Sequence, residues 1–145
     1  GVEGTRKLAG VYDRPLIGTI VRPSVGLTPA QTADLVKDLA EADIDFIKDD
    51  ELMANAPFSP LADRVESVVR VINEAANRTG KQVMFAFNIT DEMDAMLTHH
   101  EVVRDAGGTC VMVSLNSIGP VGVSHLRKRC ELPIHAHRNG WGMYT

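Results

Sequence analysis

Along this chain the apolar residues keep changing period, from short unalternating runs to longer stretches that repeat about every 3.6 residues. Each change marks an element boundary. Residues 16–21, LIGTIV, predict a first strand that ends at Pro23. Thr28, Pro29 and Gln31 then open a helix, with Thr28 as N-cap, Pro29 at the first helical position and Gln31 completing a capping box. Ala33, Val36, Leu39 and Ala40 form its apolar stripe. Residues 44–47 predict a second strand, and Ser59-Pro60 opens a helix carrying Val65, Val68, Val69, Ile72 and Ala76, closed by Thr79-Gly80. A third strand covers 83–87 and ends in Asn88. Thr90-Asp91-Glu92 begins a third helix with acids at the positive end of its dipole, and Gly107-Gly108 ends it. Residues 110–113 predict a fourth strand, 123–129 a short basic helix and 132–137 a fifth strand.

Unalternating strands between helices imply a parallel sheet in an α/β protein, with both faces covered. Two architectures fit, a doubly wound open sheet and part of a (β/α)8 barrel. No GxGxxG follows the first strand, which weakens a dinucleotide-binding sheet. A whole barrel needs about 250 residues. Five strands and four helices would then be the first part of such a barrel, a reading only slightly ahead of the open sheet.

Either architecture puts its chemistry at the carboxyl ends of the strands, and the polar residues gather there. Arg22 and Ser24 follow strand one; Lys48, Asp50 and Glu51 follow strand two. Asn88 ends strand three, Ser114 and Asn116 strand four, and His135, His137, Arg138 and Asn139 strand five. Alternation puts Lys48 and Asp50 on one face with Phe46, and Asp49 and Glu51 on the other with Ile47. Because the backbone can turn at the strand end, Glu51 can join Lys48 and Asp50. Paired carboxylates suit Mg²⁺, whereas a Lys-Asp-Asp-Glu run is more ordinarily a solvated turn. His135 and His137 share a face and are candidate ligands, acid–base groups or core-edge residues; Arg138 is a natural clamp for phosphate or carboxylate. His99 and His100, mid-helix beside Glu101, read as surface residues, and Trp141 and Tyr144 as cover for the barrel rim.

Composition narrows the function classes. The chain has 145 residues, 44% of them hydrophobic, and a net charge of −4, so no basic nucleic-acid surface is expected. No apolar run approaches the roughly 20 residues of a membrane span. Two cysteines, Cys110 and Cys130, read as buried free thiols in a reducing compartment, with the cytoplasm as the expected location. The start at Gly1 without a methionine leads to the expectation of a portion of a longer protein.

Three segments together carry a resemblance. RPLIGTIVRPSVGLTP, DFIKDDE followed by PFSPLADRV, and LPIHAHRNGWGMYT occur in order and at compatible spacing. They resemble the catalytic barrel of the RuBisCO large subunit, and more closely its non-carboxylating form IV relatives, the RuBisCO-like proteins. The resemblance implies that residues 1–145 are the N-terminal portion of that barrel, with the family's N-terminal α+β domain and last three βα units outside this chain. It implies Mg²⁺ held by Asp50, Glu51 and a CO₂-derived carbamate on Lys48. It further implies catalytic roles for Arg22, Lys48 and His137, substrate contacts from Asn88, His135 and Arg138, a phosphorylated sugar or sugar-acid substrate, and a homodimer or higher homo-oligomer.

The departures matter as much. RuBisCO has Lys-Pro-Lys after its first barrel strand, where this chain has Arg22-Pro23-Ser24, and the first of those lysines is its enolising base. The expected activity of the parent protein is therefore decarboxylation or transcarboxylation of a 3-oxo-acid phosphate, not CO₂ fixation. The rival readings are an enolase or isomerase of methylthio-pentulose phosphates, a true carboxylase, and a non-catalytic fragment.

Overall fold

The structure, a computed structural model, describes residues 1–143; Tyr144 lies outside the described residues. Helix α1 (Val2–Ala9) leads into strand β1 (Gly18–Ile20). Helix α2 (Pro29–Glu41), strand β2 (Phe46–Lys48), helix α3 (Leu61–Thr79) and strand β3 (Met84–Asn88) follow. Helix α4 (Met93–Asp105), strand β4 (Cys110–Ser114), helix α5 (Leu115–Arg127) and strand β5 (Ile134–His137) complete the order. All strand pairings are parallel and run β1-β2-β3-β4-β5. A doubly wound sheet reverses its strand order. Sequential order with each crossover helix packed on the next is the geometry of a barrel wall, so the chain forms five strands of a half-barrel.

Strand alternation sorts the interior. Ile47, Phe85, Phe87, Val111 and Val113 face the helices and pack with Val36 of α2, Val65, Val68 and Ile72 of α3, Met96 and Val103 of α4 and Leu126 of α5. Each such side chain stabilises the fold by about 1.5–3 kcal/mol on burial. The opposite face carries Phe46, Met84, Ala86, Cys110 and Met112, with Ala9, Val11 and Leu16 against its amino end. The crossover helices α2 to α5 thus cover one face only, while α1 meets the other face at its amino end, and the expectation of a sheet with crossover helices on both faces is corrected. The inner face lines an apolar recess of about 260 Å³ between Leu16, Gly18, Phe46, Met84, Cys110 and His135, away from the charged residues.

Local chemistry explains the boundaries. Thr28 Oγ1 accepts from Gln31 N, and Thr28 N donates to Gln31 Oε1, which closes the capping box of α2. Gly80 adopts a left-handed conformation (φ 76°) that ends α3, where a side chain would be strained. At the start of α3 the backbone N of Leu61 donates to Asn55 Oδ1, so Asn55, not Ser59, satisfies the helix end.

Three features depart from the sequence reading. Helix α1 was not expected, because VEGTRKLA offers only a few apolar positions; Ala9 alone is buried. Helix α5 begins eight residues earlier than residue 123, since Gly119 (φ 68°, ψ 169°) and Pro120 break the periodicity between its two halves. His100 is not a surface residue. It is 2% exposed, on the stripe of Met96 and Val103, and its Nε2 accepts from Glu131 N at 3.2 Å.

Candidate active site

Strand β2 hands its last residue to the site. Val21 N donates to Lys48 O (2.9 Å) and Asp49 N to Ala86 O (3.0 Å), so the chain stays pinned between β1 and β3 one residue beyond the strand. Register places Lys48 between Ile20 and Ala86. Its Nζ donates to Glu51 Oε2 at 2.9 Å and to Asp49 O at 3.1 Å. Asp50 is fully buried; its Oδ1 accepts from Leu52 N at 2.8 Å and its Oδ2 pairs with Arg22 Nη1. Arg22 Nη2 reaches Glu51 Oε1 at 3.1 Å, and Nη1 also donates to Ser24 Oγ at 3.0 Å. Burial pushes the Glu51 carboxyl up, but the hydrogen bond and charge of Lys48, with Arg22 behind it, bring it down to about 2. With Asp49 and Asp50 both fully buried, Lys-Asp-Asp-Glu is not a solvated turn.

The same turn is held from behind. Asn88, fully buried, donates through Nδ2 to Asp50 O and Glu51 O, both at 3.1 Å, while its Oδ1 accepts from Thr90 N and Oγ1. Both amide hydrogens of Asn88 are thus committed to the turn. Asp49 points away from Lys48 toward the helices, where it meets Arg64 Nε at 3.2 Å and Asn88 N at 3.0 Å. Burial holds the Asp49 carboxyl above the usual carboxylate range, against the opposing charge and hydrogen bond of Arg64. Arg64 escaped the sequence reading, although its spacing from Leu61 and Val68 already put it on the buried stripe of α3.

Strand β5 supplies the opposite side. His135 stacks at a tilt on Phe46 (ring centroids 5.4 Å apart) and lies 6.0 Å from His137, which registers beside Ser114. Burial, followed by the positive charge of His137 and Lys48 for His135 and of Lys48 for His137, lowers both imidazoles below their ordinary value. His137 Nδ1 accepts from Asn139 N, and Asn116 Nδ2 ties the loop to the start of α5 by donating to Asn139 O at 2.8 Å. Arg138 is exposed, with its guanidinium 5.4 Å from the Trp141 ring centroid. Trp141 is itself 49% exposed.

The donor set fits a hard divalent cation. Asp50 and Glu51 share Arg22, and Glu51 also pairs with Lys48, so two carboxylates lie close enough together to take a divalent cation in place of those groups. Among the described residues no third His, Cys, Asp or Glu gathers with them. Lys48 is the neighbour able to complete an oxygen set, once carbamylated.

A parallel half-barrel whose ionisable side chains collect at the strands' carboxyl ends defines an enzyme-type α/β barrel. The whole chain, residues 1–145, matches the ribulose bisphosphate carboxylase large chain catalytic domain, and it belongs to that family. It is 58% identical over 142 residues to the 3-oxo-isoapionate-4-phosphate transcarboxylase/hydrolase of Xanthobacter autotrophicus, covering 98% of this chain and 34% of that protein. It is 49% identical over 146 residues to the 3-oxo-isoapionate-4-phosphate decarboxylase of Rhizobium rhizogenes, covering 100% of this chain and 35% of that one. A RuBisCO-like protein from Burkholderia fungorum superposes with a TM-score of 0.96 at 53% identity, over 99% of this chain and 35% of that one. The chain thus spans about a third of the length of the curated relatives it matches.

Proposed function

We infer that the protein carrying this chain is a Mg²⁺-dependent, RuBisCO-like enzyme that removes or transfers the carboxyl group of a phosphorylated 3-oxo sugar acid. The observation that carries this reading is Arg22, whose guanidinium bridges Asp50 and Glu51 where the family resemblance sets a lysine base. A guanidinium keeps its proton, with a pKa above about 12, and so cannot collect one from carbon. It can bind a carboxylate through paired hydrogen bonds. Decarboxylation of a 3-oxo acid needs no base: the electrons of the breaking C–C bond pass to the carbonyl oxygen, leaving an enolate and CO₂. The 3-oxo-acid names of the two relatives support the same substrate class.

Within this reading Lys48, Asp50 and Glu51 hold the metal. Lys48 becomes a ligand when its neutral amine adds to CO₂ and loses a proton, which turns a cation bonded to Glu51 into an anionic oxygen donor. Bound Mg²⁺ supplies positive charge that stabilises developing oxyanions. Arg22, released from Asp50 and Glu51, orients the carboxylate that leaves. His137, which burial holds below its ordinary value, gives or takes a proton at a substrate oxygen. His135 and Arg138 contact the substrate, Arg138 as an exposed clamp for its phosphate. Asn88 serves chiefly by holding the carbonyls of Asp50 and Glu51.

We also place the protein in the cytoplasm as a homodimer or higher homo-oligomer. Cys110 and Cys130 are both buried and free, and burial pushes the Cys110 thiol up to about 12, which supports a reduced state. Among the described residues no helix is long and apolar enough to cross a membrane. Light scattering of the intact protein tests the oligomer.

The activity is tested by offering the intact protein 3-oxo-isoapionate 4-phosphate, a methylthio-pentulose phosphate and ribulose bisphosphate, with substrate consumption followed for each alongside release or uptake of CO₂ and bicarbonate. Turnover of the first alone is expected, and Arg22→Ala should lower kcat/KM by roughly 100-fold, the cost of losing one preorganised charged donor. Full activity in Arg22→Ala, or turnover confined to the methylthio sugar, overturns the reading.

A further inference from the structure

Arg64, in the first turn of α3, is fully buried and uses every arm of its guanidinium. Nε donates to Asp49 Oδ2 at 3.2 Å. Nη1 donates to Ser59 O at 2.5 Å and to Ser59 Oγ at 3.2 Å, and Nη2 to Ala54 O at 2.7 Å and Met53 O at 3.4 Å. One side chain therefore joins three things: the helix, the residue between Lys48 and Asp50, and both ends of the loop that follows Glu51. Asn88 completes the hold, with its backbone N on Asp49 and its amide on the carbonyls of Asp50 and Glu51. The segment from 49 to 54 is fixed at nearly every residue by groups that lie behind it.

A buried ion pair is an expensive way to fill a core, and an apolar pair of the same volume often serves stability as well or better. Position, not stability, is what this pair supplies that Leu or Met could not. The side chains of Arg64 and Asp49 pair with each other, with Asn88 N and with the loop, on the helix-facing side away from Lys48. They act on the backbone from which Lys48, Asp50 and Glu51 project.

We propose that Arg64 is a positioning residue for the Lys48, Asp50 and Glu51 ligand set, fixing the turn through Asp49 and the carbonyls of residues 53, 54 and 59 so that the three side chains converge on one ion. The inference rests on the reading of that set as a Mg²⁺ site. A lysine keeps the charge but not the fork. It can meet Asp49 and one carbonyl, and it leaves the other loop carbonyls unpaired.

The test measures Mg²⁺ binding to the intact protein by titration calorimetry in bicarbonate buffer, well below the thermal transition of each variant. Arg64→Lys is expected to weaken Mg²⁺ about tenfold to 100-fold, the range seen when groups that orient metal ligands are changed. Its kcat should recover at saturating Mg²⁺, which loss of folded protein would not allow. Ser59→Ala, which removes one acceptor of Arg64 and is the milder change if Arg64→Lys does not fold, should weaken Mg²⁺ by roughly twofold to tenfold, the worth of one neutral hydrogen bond. Unchanged affinity in the folded variants, with wild-type binding intact, overturns this inference alone. No binding by the wild-type protein, or binding indifferent to Asp50→Asn, overturns the metal reading and this inference with it.

Discussion

At the amino end of β2, Asp45 is wholly buried and accepts from Arg14 Nη1 at 2.6 Å, Arg14 Nη2 at 2.8 Å, Ile17 N at 2.8 Å and Lys81 Nζ at 2.8 Å. Lys81 is itself held by Asp43 O at 2.6 Å and Asp43 Oδ1 at 2.7 Å. Three residues further on, the carboxyl end carries a second network of similar charge. There Asp50 and Glu51 are bridged by Arg22, a long side chain 53% exposed, and Lys48 reaches back only to its own turn. The first network staples the segment before β1 to β2 and to the start of β3, with no partner left to exchange. In the second the carboxylates are fixed from behind, while the cations in front of them are attached by flexible stems. One strand thus shows how a barrel separates stability from chemistry: rigid anions at both ends, exchangeable partners at only one.

Lys48→Ala probes that difference hardest. If the carboxyl-end network is the site, the intact protein should lose activity by on the order of 100- to 1000-fold, the cost of removing a preorganised charge from a reacting centre. Folding should barely respond, because Glu51 keeps Arg22 and a partly exposed pair is worth at most about 1 kcal/mol. Steady-state kinetics and guanidinium unfolding on one sample decide it. An active Lys48→Ala protein, or one that no longer folds, would put the two networks in the same class.

Asp45→Asn should give the opposite pattern, a loss of about 2–3 kcal/mol of stability, the value of hydrogen bonds to a charged group, with kcat and KM near wild type. Its dependence on pH has a definite sign. The Arg14 hydrogen bond, helped by Lys81 and Ile17 and opposed by burial, holds Asp45 well below the usual carboxylate range. A depressed carboxyl contributes its full stability above its unfolded value of about 4 and loses it as pH falls toward the folded value. The gap between wild type and Asp45→Asn is therefore constant from pH 5 to 7 and narrows below about pH 4. A gap that widens on acidification would mean that the Asp45 network does not hold its charge in the folded state.

Much of this was legible in the sequence, and the reasons differ by residue. The five strands and the stripes of α2 and α3 follow from periodicity, α4 from its acidic start and its Gly107-Gly108 end, and the gathering of polar residues at strand ends from where each run stops. Alternation also placed Asp49 on the face of Ile47, opposite Lys48, yet without the three-dimensional partner that position gave no reason for its charge. Its answer, Arg64, sits 15 residues away, in a helix read by its apolar residues alone. His100 was misread for the same reason: a polar side chain on a buried stripe is invisible to a rule that counts hydrophobic residues. Arg22 was legible as a departure from Lys-Pro-Lys, but its bridge between Asp50 and Glu51 joins residues 28 and 29 positions apart and appears only in the fold.

The smallest effect sets the scale for the others. Arg70 and Glu74 form an i,i+4 pair at 3.3 Å on the outer face of α3, with both side chains more than 60% exposed. In water the two charges attract weakly, ordering two long side chains opposes that gain, and salt screens what remains, so Glu74→Gln should cost no more than about 0.3–0.5 kcal/mol. Activity and Mg²⁺ affinity should not change. The contact is longer than those at Asp45 (2.6–2.8 Å) and Lys48 (2.9 Å), and no backbone amide or buried carboxylate fixes either partner. If Glu74→Gln destabilised the protein as much as Asp45→Asn, burial and anchoring would not be what separates the networks.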